Sequence, residues 1–457
     1  MVTGLQSSGT PLALLVTSTF LDAFMKAKLV LIGNGMAGAK LLEELMSSSP
    51  DKYHITVFGN EPYGNYNRIM LSPLLAGEKT LEEIMILGRP WYEQHGIDLY
   101  VGEEKAITKV DRIHKTVTTL DGQQTPYDRL IIATGSKPFI LPIEGTELNG
   151  VMSFRDISDV EKMIEASNRH KKAVVIGAGL LGLEAAMGLC GRGMEVTVVH
   201  SNVVPLNRQL DQEAGTLLKQ ELSARGLNFK MNAQTQYIEG NATGDVTKIH
   251  FKDGSFLETD IVIMAIGIRP NMQLAVDAGL HCEKGIVVND TLQTYDPKIY
   301  ALGECIQHRG GTFGLVAPLY DQAKVLTNHL SEHGVAQYQT LPSATKLKVT
   351  GINLFSVGVI NETENEEGSE TLETLIYRDK QQGIYKKLVL KNNILVGAVL
   401  YGETQEGAFY NELLDEKKDL SEIRPYLMFG RGLCDEIAHE KPEQKKSDQA
   451  VLKGQTK

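Results

Sequence analysis

The chain has 457 residues, of which 42% are hydrophobic and 23% charged, and its formal net charge is −11. This composition is typical of a globular protein with about two to four domains, and an acidic excess without clustered Lys and Arg excludes nucleic acid as a partner. Apolar runs stay below the ~18 residues of a membrane span, and four scattered cysteines exclude a disulfide framework, a Cys-based metal site or an iron–sulfur cluster. We therefore expect a cytoplasmic protein with neither a membrane nor a nucleic-acid partner.

The chain begins with a segment, residues 1–27, that we predict to be a disordered extension. Its apolar part, residues 11–24, is not preceded by Lys or Arg and lacks the basic start of a secretory signal. Met25 stands directly before the first strand-like run and is an alternative start of the protein.

Residues 28–150 alternate between strand and helix patterns. A run of apolar β-formers ends in a glycine-rich turn and passes into a helical pattern, and further strands are predicted over His54–Gly59 and within Tyr127–Pro138. Strands that alternate with helices form parallel sheets with right-handed crossovers. These residues are therefore predicted to form a Rossmann-like, dinucleotide-binding domain.

Residues 151–258 repeat this order of elements and predict a second domain of the same type. A strand passes into a second glycine-rich turn and helix, and the next strand is predicted over Glu195–His200. The segment Thr259–Asn271 resembles Tyr127–Pro138, and we interpret it as the return to the first domain, which continues over residues 259–337. The second domain is thus predicted to be inserted in the first.

Residues 338–438 have a different pattern. Their apolar residues alternate as in strands, and the runs "RDKQQG" and "KNN" are typical of turns, which predicts a small α+β domain. The polar residues 439–457 are predicted to be a disordered tail. The predicted fold is therefore α/β, with two Rossmann-like dinucleotide-binding domains and a small C-terminal α+β domain.

Each Rossmann-like domain contains a GxGxxG turn between a strand and a helix. The first glycine makes the turn, the second leaves room for a pyrophosphate and the third lets the helix approach the strand, while the helix N-terminus favours negative charge. One such motif is weak evidence, but two in the same context predict two dinucleotide sites. The first cradle comprises Gly33, Gly35, Met36, Ala37 and Gly38, and the second cradle comprises Gly177, Gly179, Leu180, Leu181 and Gly182.

A carboxylate after the second strand of such a domain usually binds a ribose hydroxyl. In the first domain the nearest one is Glu61, for which a solvated loop carboxylate is the alternative interpretation. In the second domain His200 stands at this position, and Arg208 follows in the same loop. Because histidine does not repel a 2′-phosphate, and attracts one when protonated, the choice between NADH and NADPH stays open.

The segments "ATGSKP", "GLLGLEAA" and "ALGEC", together with the two cradles, resemble the flavoprotein reductases that contain two dinucleotide-binding domains. The resemblance extends from Lys28 to Gln337. It implies that the first cradle holds FAD and the second holds NADH or NADPH. One site would then store the electrons that the other delivers.

The resemblance also implies contacts to FAD. Arg68, in the run "EPYGNYNRIMLS", would meet the pyrophosphate, and Thr134 and Gly135 would pack against the adenosine side. Gly303 and Glu304 would lie at the ribityl–phosphate stretch, where this family commonly has Asp in place of Glu304.

Two residues are candidates for a catalytic role by the same resemblance. Glu184 would lie near the nicotinamide carboxamide, with an ordinary solvated helix residue as the alternative. Pro318 would lie near the flavin ring, although a proline at a helix start has a structural explanation too. Gly267, within Thr259–Asn271, is predicted to be a further cofactor contact.

The segments "ALGECIQHRGGTFGLVAPLYDQAK" and "KLKVTGINLFSVG" resemble the flavin portion of the assimilatory nitrite reductase large subunit, and equally the electron-transfer subunit of assimilatory nitrate reductase. The large subunit continues into Cys-rich, sirohaem-binding regions, whereas this chain ends at Lys457 without them, which favours the nitrate reductase subunit. The implied partner is an electron-acceptor protein, either a nitrate or nitrite reductase catalytic subunit or a small iron protein. A homodimer is compatible with the sequence.

Two other functions fit the same residues. One is a reductase of the same fold with another acceptor: a rubredoxin or ferredoxin reductase, or a general NADH diaphorase. The other is a non-enzymatic nucleotide-binding redox sensor, which would bind its nucleotide without turnover.

Cysteine and metal chemistry are not expected to take part. Residues 61–75 contain no cysteine, so no redox-active disulfide follows the first cradle. Cys305 is interpreted as a small buried apolar residue, with a reactive thiol as the alternative. The histidine spacings match no metal-binding motif, and no metal is predicted.

Overall fold

A computed structural model describes residues 26–340, 345–349, 351–361 and 372–436 of the chain. The predicted C-terminal tail lies outside the described residues. The same is true of the predicted N-terminal extension, except for its last two residues. The chain divides into two units. The first unit comprises the described residues of 1–66, 85–136 and 270–340, and the second unit comprises those of 67–84, 137–269 and 341–457.

The first unit is built on a parallel five-stranded sheet, as the alternation of strands and helices predicted. The strand before the first cradle lies at its centre, and Ile32 stands opposite both Phe58 and Ile132. The last four residues of this strand, Leu29–Ile32, are buried. A parallel sheet is covered on both faces, which explains the continuous apolar run in the sequence. In spatial order the strands are Ile299–Ala301, Arg129–Ile132, Ala27–Ile32, Tyr53–Gly59 and Asp98–Val101.

Helices and small sheets complete the first unit. The helix Met36–Ser48, called the first cradle helix, packs against Val316–Leu330. The other helices are Arg89–Gln94 and Gln273–Asp277, with a 3₁₀ turn at Glu103–Lys105. The remaining strands are Asn65–Tyr66, Met85–Leu87, Ile107–Asp111, Thr116–Thr119, Gln124–Pro126, Ile286–Val288, Ile306–His308 and Gly311–Thr312. The strands Ser136–Pro138 and Ile268–Pro270 lie where the chain passes from one unit to the other.

The second unit contains a parallel five-stranded sheet with the same layout around its glycine cradle. In spatial order its strands are Val151–Ser153, Ile261–Met264, Lys172–Ile176, Glu195–Val199 and Asn228–Lys230. We predicted that the chain returns to the first domain at residue 259, and the structure corrects this boundary. The strand Ile261–Met264 pairs with the strand before the second cradle, just as Arg129–Ile132 pairs with the strand before the first one. The similarity of the two segments therefore marks equivalent strands in two sheets, and the return comes only after Arg269.

Helices surround this second sheet. The helix Leu180–Gly191 is called the second cradle helix, and the short helix Leu71–Ala76, called the loop helix, packs against it. The further helices are Leu81–Ile84, Ile157–Arg169 and Gln212–Ala224, with a 3₁₀ turn at Arg68–Met70. An antiparallel sheet of Thr235–Gly240, Val246–Phe251 and Phe256–Glu258 completes this part.

The C-terminal part of the second unit is an antiparallel five-stranded sheet with the helix Gly407–Glu416 against it. Asn392 and Asn393 both have positive φ (52° and 61°), the conformation of a two-residue hairpin turn, and the predicted "KNN" turn is thus confirmed. In spatial order the strands are Thr345–Val349, Ile352–Gly358, Ile394–Tyr401, Ile384–Lys391 and Leu372–Asp379, and a 3₁₀ helix spans Arg424–Phe429.

A buried hydrogen bond joins this C-terminal sheet to the dinucleotide-binding part of the same unit. The Tyr385 hydroxyl donates to Asp211 Oδ2 at 2.5 Å, and both residues are buried. The other oxygen of this carboxylate accepts from the N–H of Ala214 (3.0 Å) and caps the helix Gln212–Ala224. Asp211 therefore caps the start of one helix and binds the C-terminal sheet at the same time.

Candidate functional site

The first cradle has the geometry of a phosphate-binding turn. Gly33 has φ +109°, and a Cβ on it would lie 2.1 Å from the carbonyl oxygen of Ala133, so that only glycine fits. A Cβ on Gly38 would lie 2.6 Å from the carbonyl oxygen of Gly33, which explains the close approach of the helix. At Gly35, by contrast, a Cβ would have no heavy atom within 4 Å. The middle glycine thus faces space that the protein itself does not fill, as a bound pyrophosphate requires.

The second cradle repeats this arrangement position by position. Gly177 has φ +112° and its Cβ would lie 2.3 Å from the carbonyl oxygen of Ala265, while a Cβ on Gly182 would lie 2.0 Å from that of Gly177. A Cβ on Gly179 would again meet nothing within 4 Å. The two cradles therefore provide two separate sites with the same backbone chemistry.

Both cradle helices begin in a way that favours an anion. Gly35 and Gly179 are the N-caps, neither provides a capping side chain, and no acidic residue occupies the first turn of either helix. The first backbone N–H groups of a helix have no partner within the helix, and the helix dipole adds partial positive charge there. Met36 and Ala37 form the start of the first cradle helix, and Leu180 and Leu181 that of the second.

Two buried amides beside the first cradle provide further polar atoms. Asn34, between the first two cradle glycines, accepts from the Tyr92 hydroxyl at 2.7 Å, and its main-chain oxygen accepts from Asn65 Nδ2 at 2.9 Å. The buried Asn34 Nδ2 and Asn65 Oδ1 have no hydrogen-bond partner among the described residues. Since buried polar groups are nearly always paired, these atoms and the open space at Gly35 fit a polar ligand such as a dinucleotide.

The turn at Gly303–Glu304 lies beside the start of the first cradle helix. Gly303 has φ +94°, and a Cβ on it would lie 3.2 Å from the Cβ of Ala37. Its N–H donates to the buried side chain of Gln322 (2.7 Å), and Glu304 accepts from the Ser136 hydroxyl (2.9 Å). The structure thus brings two predicted site residues to the first cradle, and it adds Gln322, which the sequence analysis did not identify.

The turn at Thr134–Gly135 is held by Asn271, a second residue that the sequence analysis missed. The Thr134 hydroxyl donates to the carbonyl of Asn271 at 2.6 Å, and the N–H of Asn271 donates to the carbonyl of Gly135 at 2.9 Å. Gly135 has φ +66°. Pro318 is the third residue of the helix Val316–Leu330, where the missing N–H costs no helical hydrogen bond.

Two predicted cofactor contacts, Glu61 and Arg68, have other partners within their own unit, and a third, Gly267, lies in the second unit. Glu61 accepts a hydrogen bond from the Tyr66 hydroxyl at 2.6 Å. Arg68 belongs to the second unit, where it donates to the carbonyl of Arg155 at 3.0 Å. Gly267, with φ +126°, also belongs to the second unit, at the place that Gly135 has in the first. The contacts of these residues with a cofactor stay predictions.

His200 lies against the second cradle, in surroundings that disfavour its charged form. Its Nδ1 accepts from the N–H of Ala178 (3.4 Å), and its Nε2 lies 3.1 Å from Asn207 Oδ1. Burial lowers the pKa of His200, because the charged form loses its hydration. A protonated His200 would attract a 2′-phosphate, and burial disfavours this protonated form. Arg208 is exposed in the same loop.

Glu184 lies in the second cradle helix and is half-buried. Its Oε2 accepts from the Ser72 hydroxyl at 2.7 Å. Burial raises the pKa of the Glu184 carboxyl, and the hydrogen bond from Ser72 opposes this shift in part. The solvated carboxylate that we considered as the alternative for Glu184 therefore does not match its surroundings.

Cys305 is fully buried in the core of the first unit. Its thiol lies 3.2 Å from the carbonyl of Leu302, and burial raises the pKa of the thiol to about 11. This confirms the interpretation of Cys305 as a small buried residue. The described residues include no group of three His, Cys, Asp or Glu side chains suited to a metal ion. They also include no helix long and apolar enough to cross a membrane.

Two family models match parts of this chain. Residues 27–339 match the model "Pyridine nucleotide-disulphide oxidoreductase", and residues 342–418 match the model "Rubredoxin NAD+ reductase C-terminal domain". The first match agrees with the resemblance that the cradles and the turns after them suggested.

Relatives with a curated function are similar over most of this chain. It is 47% identical over 397 residues to "Nitrite reductase [NAD(P)H]" of Bacillus subtilis (strain 168). The matched region covers 87% of this chain and 48% of the relative. It is 43% identical over 396 residues to "Assimilatory nitrate reductase electron transfer subunit" of the same organism, with 87% and 50% covered. The chain thus spans about half the length of these two relatives.

Among solved structures, NADH:rubredoxin oxidoreductase from Clostridium acetobutylicum has a similar fold, with a TM-score of 0.71 and 26% sequence identity. The likeness covers 87% of this chain and 97% of that one.

Proposed function

The chain belongs to the pyridine nucleotide-disulphide oxidoreductase family, and we propose that it passes electrons from NADH or NADPH through FAD to a partner redox protein. It is an enzyme with FAD and NAD(P)H as its cofactors. The observation that carries the proposal is the pair of glycine cradles with the same geometry. A chain with two dinucleotide sites can accept electrons from one cofactor and hold them on the other.

We assign FAD to the first cradle and NAD(P)H to the second. In support of FAD, the first cradle is bordered by the turn Gly303–Glu304 and by the unpaired polar atoms of Asn34 and Asn65. In support of NAD(P)H, the second cradle helix carries Glu184. Its carboxyl group can form a hydrogen bond with a carboxamide. The FAD-binding domain would then be the first unit, and the NAD(P)H-binding domain would be the parallel sheet of the second unit with its helices.

The protein residues bind and orient the cofactors in this proposal. When bound, nicotinamide and flavin supply the hydride-transfer chemistry between them. The N–H groups at the start of each cradle helix would bind the pyrophosphates. Cys305 takes no part, since its thiol is buried and its pKa is raised.

For the electron acceptor we propose the catalytic subunit of a nitrate or nitrite reductase in the cytoplasm. The support is the high identity to a nitrite reductase and to a nitrate reductase electron-transfer subunit. A small iron protein such as rubredoxin is the second candidate, favoured by the match of residues 342–418 and by the likeness to NADH:rubredoxin oxidoreductase. A homodimer is compatible with either acceptor.

The test uses the purified chain with its bound flavin. NADH or NADPH should bleach the flavin and support rapid reduction of an artificial dye, and Gly179→Val should lack both activities while it keeps its colour. A chain that binds NADH but is not bleached by it would contradict the proposal and favour the redox sensor. Nitrate reduction should appear when a nitrate reductase catalytic subunit is added, and nitrite reduction with a nitrite reductase subunit. If both mixtures stay inactive while rubredoxin is reduced rapidly, the small iron protein is the acceptor.

A further inference from the structure

The loop helix lies on the second cradle helix within the second unit. Gly188 permits this approach, because a Cβ there would come 2.8 Å from the side chain of Leu75. Arg192, directly after the second cradle helix, donates from Nε to the carbonyl of Leu75. The position of the loop helix on the second cradle helix is therefore defined by packing and by a hydrogen bond.

Ser72 is the second residue of the loop helix, and this packing brings its hydroxyl to Glu184. The hydrogen bond to Glu184 Oε2 is 2.7 Å long and joins residues 112 positions apart in the sequence. No Lys, Arg or His of the described residues forms an ion pair with Glu184. A half-buried carboxyl group without a cationic partner depends on its hydrogen bonds for its orientation. One hydroxyl group thus provides the polar contact that orients Glu184.

We propose that Ser72 is a positioning residue, whose hydroxyl holds the Glu184 carboxyl in the orientation in which it meets the nicotinamide dinucleotide of the second cradle. This inference rests on the proposed function, since it requires NAD(P)H at the second cradle. The cradle itself provides affinity through the pyrophosphate. Ser72 therefore affects the orientation of the nicotinamide more than the affinity for the dinucleotide.

The experiment compares Ser72→Ala and Ser72→Thr in the flavin-containing chain, with Ser153→Ala as the matched control. Ser153 also donates its hydroxyl to a carboxylate of the second unit whose pKa is raised, Asp159, at 2.9 Å. Rapid mixing with increasing NADH separates the limiting rate of flavin bleaching from the apparent Kd. In Ser72→Ala the limiting rate should fall about tenfold, corresponding to about 1.4 kcal/mol, while the apparent Kd changes less than about threefold. Ser72→Thr, which keeps the hydroxyl, should restore the rate, and Ser153→Ala should leave it unchanged.

Infrared spectroscopy provides a readout that does not depend on turnover. The carboxyl band of Glu184, identified by its loss in Glu184→Gln, should shift in Ser72→Ala and return to its original frequency in Ser72→Thr. Hydrogen bonding changes the stretching frequency of a carboxyl or carboxylate group, so a band that stays where it is would show that the Ser72 hydroxyl does not hold the Glu184 side chain.

Several results would overturn the inference. These are a limiting rate in Ser72→Ala within twofold of the original chain, an unshifted carboxyl band, or an equal loss in Ser153→Ala. If Ser72→Ala does not fold, Ser72→Cys replaces it, since a thiol is a weak donor of similar volume, and an unchanged rate in that variant contradicts the inference. An original chain whose flavin NADH does not bleach contradicts the proposed function itself, whereas a bleached chain with a normal Ser72→Ala contradicts the role of Ser72 alone.

Discussion

Gly179→Val is expected to weaken NAD(P)H binding more than 100-fold while the fold stays intact. Gly179 has φ −79° and ψ −176°, which any residue can adopt, and a Cβ there meets no heavy atom within 4 Å. The free energy of unfolding should therefore change by less than about 1 kcal/mol. The valine would instead occupy the space before the second cradle helix that a pyrophosphate needs. A hydrogen bond between a backbone N–H group and a charged phosphate contributes ~1.5–3 kcal/mol. The loss of two such bonds lowers the binding free energy by ~3–6 kcal/mol, which raises the Kd more than 100-fold.

The matched variant Gly35→Val makes the same change in the first cradle. Gly35 has φ −82° and ψ −177°, and a Cβ there also meets nothing within 4 Å. We expect Gly35→Val to be purified without flavin, whereas Gly179→Val stays yellow. Flavin absorbance after purification and calorimetric titration with NADH measure the two effects. Gly177→Ala serves as the folding control, because φ +112° and a Cβ 2.3 Å from the Ala265 carbonyl oxygen should lower the melting temperature strongly.

Wild-type affinity for NADH in Gly179→Val would refute the reasoning, since it would place the pyrophosphate elsewhere. Loss of flavin from Gly179→Val, with retention in Gly35→Val, would show that the two cofactors are exchanged between the cradles. If both valine variants unfold, the conclusion that the protein leaves open space at Gly35 and Gly179 is wrong.

Three further variants address the surroundings of the second cradle. His200→Glu should raise the ratio of kcat/KM for NADH over NADPH about tenfold, ~1.4 kcal/mol, since a carboxylate repels a 2′-phosphate; an unchanged ratio would show that His200 does not face the ribose. The pKa of Glu184 is raised, which means that the folded chain binds the proton of this carboxyl group more tightly than the unfolded chain does. The contribution of this proton to the free energy of unfolding is therefore fully present at low pH and is lost as the pH rises through the folded-state pKa. The melting temperature of Glu184→Gln relative to the original chain should therefore increase as the pH rises above the ordinary range of a Glu carboxyl, and a constant difference would contradict this. Tyr385→Phe removes the hydrogen bond to the buried Asp211 and should lower the free energy of unfolding by about 1–3 kcal/mol, as urea denaturation can test; an unchanged value would mean that the bond makes no net contribution.

The sequence by itself determined the features that depend on short stretches of chain. The two cradles were predictable because turn, strand and helix signals lie within six residues of each other, from Gly33 to Gly38 and from Gly177 to Gly182. The burial of Cys305 followed from the ordinary preference of cysteine, and the C-terminal hairpin followed from its "KNN" turn. Local conformational preferences decide such features, and they are present in the sequence itself.

Only the tertiary structure decided which distant segments meet. The strand Ile261–Met264 resembles a strand of the first sheet, yet it pairs in the second, because hydrogen bonding between strands is not encoded in the pattern of one strand. The side-chain amides of Asn34 and Asn65, each with one unpaired atom, come together across a loop. The hydroxyl of Ser72 reaches Glu184 across 112 positions. The lowered pKa of His200 could not be predicted either, because it is caused by burial, and burial results from the packing of the whole unit around the second cradle.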